Sequence, residues 1–376
     1  MSVDLVALYQ KWNVAILILL MMMFLSIIQI IWVYYAQKKE LGKVVDSGIR
    51  LMVANWVWGG TISIGISAMI YYFNIYFNMK DLFVVGSLTL FFALIGVRFG
   101  CIAYAVGGSV LLSIAFEKIV FFQQIQWLDG INELFTNFDT LTWLWLVAIL
   151  HLAEWLLIRI HGNSGLRPIK INHRRKQKIN AFMMERGWPI PLITQVDETM
   201  ICIPLFLGTA SMNASRSMKQ HRRYASTLTL FYAIGLLIGV TLYTWWISFP
   251  LWTLALYAVL CHEMVYQWGK WIEKRKNPLF SPDSNGLKVL QVSRKSTAAK
   301  MGLKAGDVIL LVNGNQIDHP NDLIRFIRGR STCKLDILDE NGERQILQKT
   351  LFDGEPSDLG IIGIPSPENE EKKNYA

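Results

Sequence analysis

A chain of 376 residues with 53% hydrophobic residues, a mean hydropathy of +0.33 and 17% charge is too apolar for a soluble enzyme of its length. Its four cysteines, Cys101, Cys202, Cys261 and Cys333, show no Cys-x-x-Cys spacing, which argues against a disulfide framework or a zinc ribbon and leaves them as small buried hydrophobes. The net charge of +9 is concentrated between residues 159 and 223, between two apolar runs, where a cytoplasmic membrane loop is expected to be basic; no nucleic acid is implied.

Seven apolar runs, 14–35, 51–73, 82–97, 99–116, 141–158, 228–247 and 251–268, approach or reach the ~20 residues that cross a bilayer core. Backbone groups cannot stay unpaired in lipid, so the expected form is helical. Residues 1–274 are predicted to be a polytopic α-helical membrane bundle of about seven transmembrane helices. The first run is too long for a signal peptide and no small-x-small site follows it, so it reads as an uncleaved anchor stopped by Tyr34-Tyr35-Ala36-Gln37-Lys38-Lys39. Lys38, Lys39, Lys43, Arg50, Arg98, the basic loop 159–227 and Lys270, Lys274, Arg275 and Lys276 fall on one side of seven alternating spans. The other side holds Lys11, Lys80 and Lys118. The bias places the N-terminus outside and the C-terminal part in the cytoplasm of a multi-pass cell-membrane protein.

Small residues line one face of spans two, four and six: Gly59, Ser63 and Ser67; Ala105, Ser109 and Ser113; Gly235 and Gly239. Spaced by four, they predict close packing inside the bundle. Residues 123–138 mix Trp127, Leu128 and Phe135 with acidic residues and read as an interfacial amphipathic helix. In the basic loop, Trp188-Pro189-Ile190-Pro191-Leu192 precedes an apolar run at 200–210 containing Pro204 and Gly208. That run is too short to span and its prolines oppose a regular helix, so a re-entrant or membrane-lying segment is expected. Arg174-Arg175-Lys176 and residues 219–223 flank it and suit anionic lipid headgroups, at about 1 kcal/mol per basic residue.

A charged neck at 270–276 leads to the C-terminal module. There Ser296-Thr-Ala-Ala-Lys-Met-Gly302 reads as a short helix stopped by glycine, Gly306-Asp307 opens the strand 308–312, and Asn313-Gly314 forms a tight turn. This order resembles a PDZ domain of the bacterial type found in trypsin-like periplasmic, tail-specific and site-2 proteases, and the resemblance covers 278–365. It implies a peptide-binding groove. Gly286 and Leu287 are expected in the loop around a peptide carboxylate, Lys288, Val289 and Leu290 as the strand edge that pairs with the peptide, and Leu323 and Ile327 of helix 320–328 as groove or core. Asp318 or His319 is expected to cap that helix. A hairpin at 334–351 and a last strand at 360–364 complete the sheet, and the polar tail 366–376 is expected to be disordered.

Proteases often pair PDZ domains with membrane spans, so the chemistry needs a test. His-Glu-x-x-His would hold zinc between two histidines four apart. Here His262-Glu263 begins the motif, but Tyr266 stands at the second histidine. His151 and Glu154 form another intramembrane pair, three apart on span five. No complete catalytic or metal-ligand set results, so neither an enzyme nor a cofactor is expected and the four residues read as an intramembrane polar cluster. His151-Leu-Ala-Glu-Trp155, Trp188-Pro-Ile-Pro-Leu192 and His262-Glu263, upstream of one PDZ-like domain, resemble the MinJ-type proteins of Gram-positive bacteria. That resemblance implies a non-catalytic scaffold in division-site selection whose partners are DivIVA-like and MinD-like proteins at the inner membrane face. The alternatives are an intramembrane site-2-like metalloprotease of degenerate motif and a PDZ-regulated transporter or sensor.

Overall fold

The computed structural model describes residues 5–42, 44–45, 47–118, 134–135, 137–172, 178–196, 199–283, 285–293, 295–317, 319–352 and 359–364. Each of the seven apolar runs lies on one helix: α1 (Leu5–Leu41), α2 (Gly48–Tyr72), α3 (Met79–Ile95), α4 (Ile102–Lys118), α5 (Thr140–His161), α6 (Met218–Trp245) and α7 (Trp252–Arg275). Among the described residues three of these, α2, α5 and α6, are long and apolar enough by themselves to cross a membrane. Asn78 caps α3 by accepting from the Asp81 amide at 2.7 Å, and Asp139 caps α5 by accepting from Thr142 at 3.2 Å. The Asp81 carboxylate also accepts the Asp139 amide at 2.9 Å, which ties the two helix starts together.

The small residues make close contacts within the bundle. Gly235 and Gly239 of α6 lie against Tyr257 and Leu254 of α7, and Ala105 and Ser109 of α4 are buried; Gly107, outside the expected face of α4, is the residue whose side chain would press on Ala255 and Val259 of α7. The face of α2 has a different neighbour. It packs on a β-strand.

The segment expected as a loop with a membrane-lying run is a sheet: β2 (Arg167–Asn172), β3 (Lys178–Val196) and β4 (Thr199–Asn213). β3 and β4 form an antiparallel hairpin from Phe182↔Asn213 to Val196↔Thr199. Its far end pairs in parallel with β1 (Tyr76–Phe77), just past α2, and its near end pairs with β2. Trp188, Ile190, Leu192, Ile203, Leu205 and Leu207 are buried in one core with α4 and α5. The hairpin therefore threads the helical body. Such backbone is stable among apolar helices only if its polar groups are met by protein. The sequence provides for this.

Pro189 and Pro191 stand at alternate positions of β3 and have no N–H to leave unpaired. The Pro191 carbonyl accepts from the Ser63 hydroxyl, and the Ile193 amide donates to the Ser67 hydroxyl at 2.9 Å. A side chain at Gly59 would collide with the Pro189 carbonyl. Four helical residues rise about 6 Å and two strand residues about 6.6 Å, so positions 59, 63 and 67 keep step with 189, 191 and 193. A four-residue period looks the same in a sequence whether it faces a helix or a strand.

The C-terminal module contains β5 (Leu287–Val292), α8 (Thr297–Met301), β6 (Val308–Val312), β7 (Asn315–Gln316), α9 (Pro320–Ile327), β8 (Thr332–Leu338), β9 (Arg344–Thr350) and β10 (Ile361–Ile364), with sheet order β10-β5-β6-β8-β9 and β7 on β6. Ser296 caps α8 and Gly302, at φ 92°, ends it. His319 caps α9 in a capping box with Asp322; Asp318 lies outside the described residues. Leu287, Val289, Ile309, Leu323, Ile327 and Leu335 form the core. Burial pushes the Cys333 thiol up to about 11.

The neck is not a loose linker. Buried Glu273, near the end of α7, accepts the amides of Ala214 and Ser215 at 2.9 and 2.8 Å and the Ser215 hydroxyl at 2.7 Å, and pairs with Arg216. Leu279 N–H donates to the Ala214 carbonyl at 2.8 Å, and Phe280 is buried edge-on to Phe182, with ring centroids 5.1 Å apart. Leu290, Ile362 and Ile364 join the helical core, so the module is docked on the base of the hairpin. Most of 123–138, the Arg174-Arg175-Lys176 cluster and the tail 366–376 lie outside the described residues.

Candidate functional site

The groove sits where β10 ends the sheet and α9 covers it. A cavity of about 210 Å³ is lined by Leu287, Pro320, Asn321, Leu323, Ile324, Ile361, Ile362 and Gly363, together with Leu41 from the end of α1. Leu359 and Gly360 both take positive φ, 51° and 76°, and turn the chain into β10. This corrects the edge expected at Lys288, Val289 and Leu290. Those residues belong to β5, which is paired on one side with β10 and on the other with β6, so β5 has no edge to offer. A side chain at Gly286 would meet the Ile309 carbonyl, which gives glycine a packing reason at this position. Leu287 points into the module core and borders the cavity. Leu323 is 2% exposed and lines the cavity, whereas Ile327 lies in the core away from it. Partial burial holds the Lys288 ammonium below its usual range, with Asp283 and Asp307 opposing the shift. The missed residues, Ile361, Ile362 and Gly363, carried a signal: Leu359-Gly360-Ile361-Ile362-Gly363-Ile364 is a glycine turn entering an apolar strand.

The residues expected as an intramembrane polar cluster separate into two groups. His151 and Glu154 of α5 meet His262 of α7 and Cys101, the residue before α4; one ligand atom from each of the four lies within 4.8 Å of the others. Glu263 does not join them. Its carboxylate accepts from Arg98 at 2.7 Å, Tyr104 at 2.8 Å and Gln267 at 2.6 Å. Tyr266, at the place of the second histidine of the protease motif, supports the Arg98 guanidinium 4.1 Å from its ring centroid. Glu263 is thus held as an ion-pair partner outside the four-residue set, and the Tyr104 hydroxyl, 2.8 Å from Glu263 and 3.1 Å from His262 Nδ1, lies between the two. Cys101 was missed because nothing in its local sequence links it to α5 or α7.

Residues 288–338 match the PDZ domain family model. The chain is 24% identical over 239 residues to a protein of Lacticaseibacillus paracasei described as a probable cell division topological determinant MinJ, covering 58% of this chain and 65% of that one. It is 29% identical over 127 residues to the cell division topological determinant MinJ of Bacillus subtilis strain 168, covering 32% of each. The match therefore spans a little under two thirds of the Lacticaseibacillus relative's length. No solved structure matches the chain significantly.

Proposed function

We propose that this chain, which is of the MinJ type and carries a PDZ domain, is a non-catalytic membrane scaffold that recruits partner proteins through the groove between β10 and α9 and takes part in placing the division site. The observation that carries the reading is the groove itself. It combines a short strand at the end of a sheet with an apolar helix face, which suits an extended peptide added as a further strand with side-chain pockets beside it. The protease reading loses support because Glu263 is committed to Arg98, Tyr104 and Gln267, and Tyr266 to Arg98. We read the seven helices as seven spans with the N-terminus outside and the PDZ domain in the cytoplasm. The end of α1 with Lys38 and Lys39, the end of α7 with Lys274 and Arg275, and the PDZ domain then share one face, as positive-inside topology requires. Exposed Lys219 and Arg223 on that face suit anionic headgroups.

The test is in-cell crosslinking and recovery of partners with the intact chain, with Ile324→Lys, and with Glu263→Gln. Ile324 is 39% exposed and lines the groove, so a lysine there disturbs binding more than folding. The expected result is recovery of DivIVA-like and MinD-like proteins by the intact chain and by Glu263→Gln, and their loss with Ile324→Lys. Accumulation of uncleaved membrane proteins on Glu263→Gln would instead establish proteolysis and remove the scaffold reading.

A further inference from the structure

We infer that Cys101, His151, Glu154 and His262 form a site for a zinc-class transition metal that fastens α4, α5 and α7 together inside the membrane body. The first argument is convergence. The Cys101 sulfur is 3.1 Å from His151 Nε2, which is 3.5 Å from Glu154 Oε2, and all four residues lie in the 4.8 Å set. Ligand atoms around a tetrahedral zinc stand about 3.3–3.8 Å apart, as Zn–N and Zn–O bonds near 2.0–2.1 Å and a Zn–S bond near 2.3 Å require. The cluster is within side-chain adjustment of that shape.

The second argument is the direction of the protons. His151 Nδ1 lies 2.7 Å from the Val147 carbonyl, which can only accept, so Nδ1 carries the hydrogen. In the neutral ring Nε2 then holds a lone pair, and it faces the thiol and the carboxylate. The Tyr104 hydroxyl donates to Glu263, so at 3.1 Å from His262 Nδ1 it accepts the hydrogen of that ring and leaves His262 Nε2 with a lone pair. Each imidazole is thus oriented by an outer hydrogen bond, one to a backbone carbonyl and one through Tyr104 to a carboxylate, the arrangement that fixes metal-binding histidines. Glu154 Oε2 is buried with no hydrogen-bond donor among the described residues. The Cys101 thiol is the donor that faces His151 Nε2, and its proton is one that a metal displaces, so these lone pairs and the unpartnered Glu154 oxygen suit a cation.

The third argument is charge. A divalent metal with a thiolate, a carboxylate and two neutral imidazoles is neutral overall, the state that burial among apolar helices favours. The thiol releases its proton on binding. Thiolate, imidazole and carboxylate in a four-ligand set select zinc over calcium or magnesium, which take oxygen ligands. A cavity of about 40 Å³ borders Glu154 and His262 and extends to Ser211 and Gly269.

The experiment uses the full chain purified in mild detergent from zinc-replete cells, with metal content measured by mass spectrometry, followed by exchange with cobalt and absorption spectroscopy. The expected result is about one zinc per chain and, with cobalt, a thiolate charge-transfer band beside tetrahedral d–d bands. Cys101→Ser should remove the charge-transfer band while keeping weakened d–d bands, a signature that general misfolding does not produce. His151→Gln combined with His262→Gln should retain less than about a tenth of the metal, since loss of an outer partner alone already weakens such sites about 10–100-fold. Two results overturn the inference. One is metal retained at the native level by the double variant, which marks an adventitious ion elsewhere. The other is a folded wild-type chain, judged by size-exclusion elution and tryptophan emission, that takes up neither zinc nor cobalt, which leaves His151 and Glu154 as a proton-sharing pair.

Discussion

Replacing Glu273 with glutamine tests whether the PDZ domain is held to the membrane body by one buried carboxylate. In the native chain that side chain accepts two amides and a hydroxyl and faces Arg216, whose side chain is only 12% exposed and lies 3.9 Å from the Tyr224 ring centroid. Glutamine keeps the volume but leaves the guanidinium without a counter-charge and turns donor hydrogens toward donors. Removing one partner of a buried pair costs about 3–5 kcal/mol. The expected loss is therefore about 3–5 kcal/mol, read by tryptophan-monitored denaturant unfolding of the full chain in detergent. Cleavage between residues 276 and 286 should quicken, because Ala214, which the carboxylate fixes, also holds Leu279. Adding Arg216→Met should recover most of the loss by removing the stranded charge. A Glu273→Gln chain within about 0.5 kcal/mol of wild type, with unchanged cleavage, would refute the clamp.

Gly59→Ala should prevent the hairpin from seating against α2 and sharply lower the yield of folded chain, while Gly60→Ala, with open space beside it, should be neutral or stabilising by up to about 1 kcal/mol; thermal unfolding of the two variants checks this. Gly286→Ala should destabilise the PDZ domain by about 1–3 kcal/mol through the Ile309 carbonyl, measured by hydrogen exchange at β5 and β6; an effect on ligand affinity alone would return Gly286 to the binding loop. The Arg344 guanidinium, 2.8 Å from Asp336, holds that carboxyl below its usual range. The folded value is depressed, so the stabilisation is present above the unfolded value of about 3.9 and is lost as pH falls through the folded one. Arg344→Ala should therefore flatten the acid limb of the domain's stability curve, measured by exchange at β8 and β9.

Local signals in the chain were enough for several elements. Apolar runs placed α1 to α7, because a helix in lipid must be continuous and apolar. Ser296, Gly302, Gly306 and Asn313-Gly314 placed α8 and β6, because caps and positive-φ turns are chosen by one or two residues. Three matters needed the tertiary structure. The hairpin was hidden because a strand enclosed by helices needs no polar face and shows no alternation, and its prolines looked like breaks when they are edge residues without N–H groups. The groove edge moved from β5 to β10 because sheet order is set by which strands pair across the module, and a strand distant in the sequence, Ile361–Ile364, pairs with residues 288–292 of β5. The separation of Glu263 from His262, and the arrival of Cys101 beside His151, depend on the rotation of α4, α5 and α7 about their axes. That rotation is fixed by contacts such as Gly107 against Val259, between residues far apart in the chain, and no local pattern of residues encodes it.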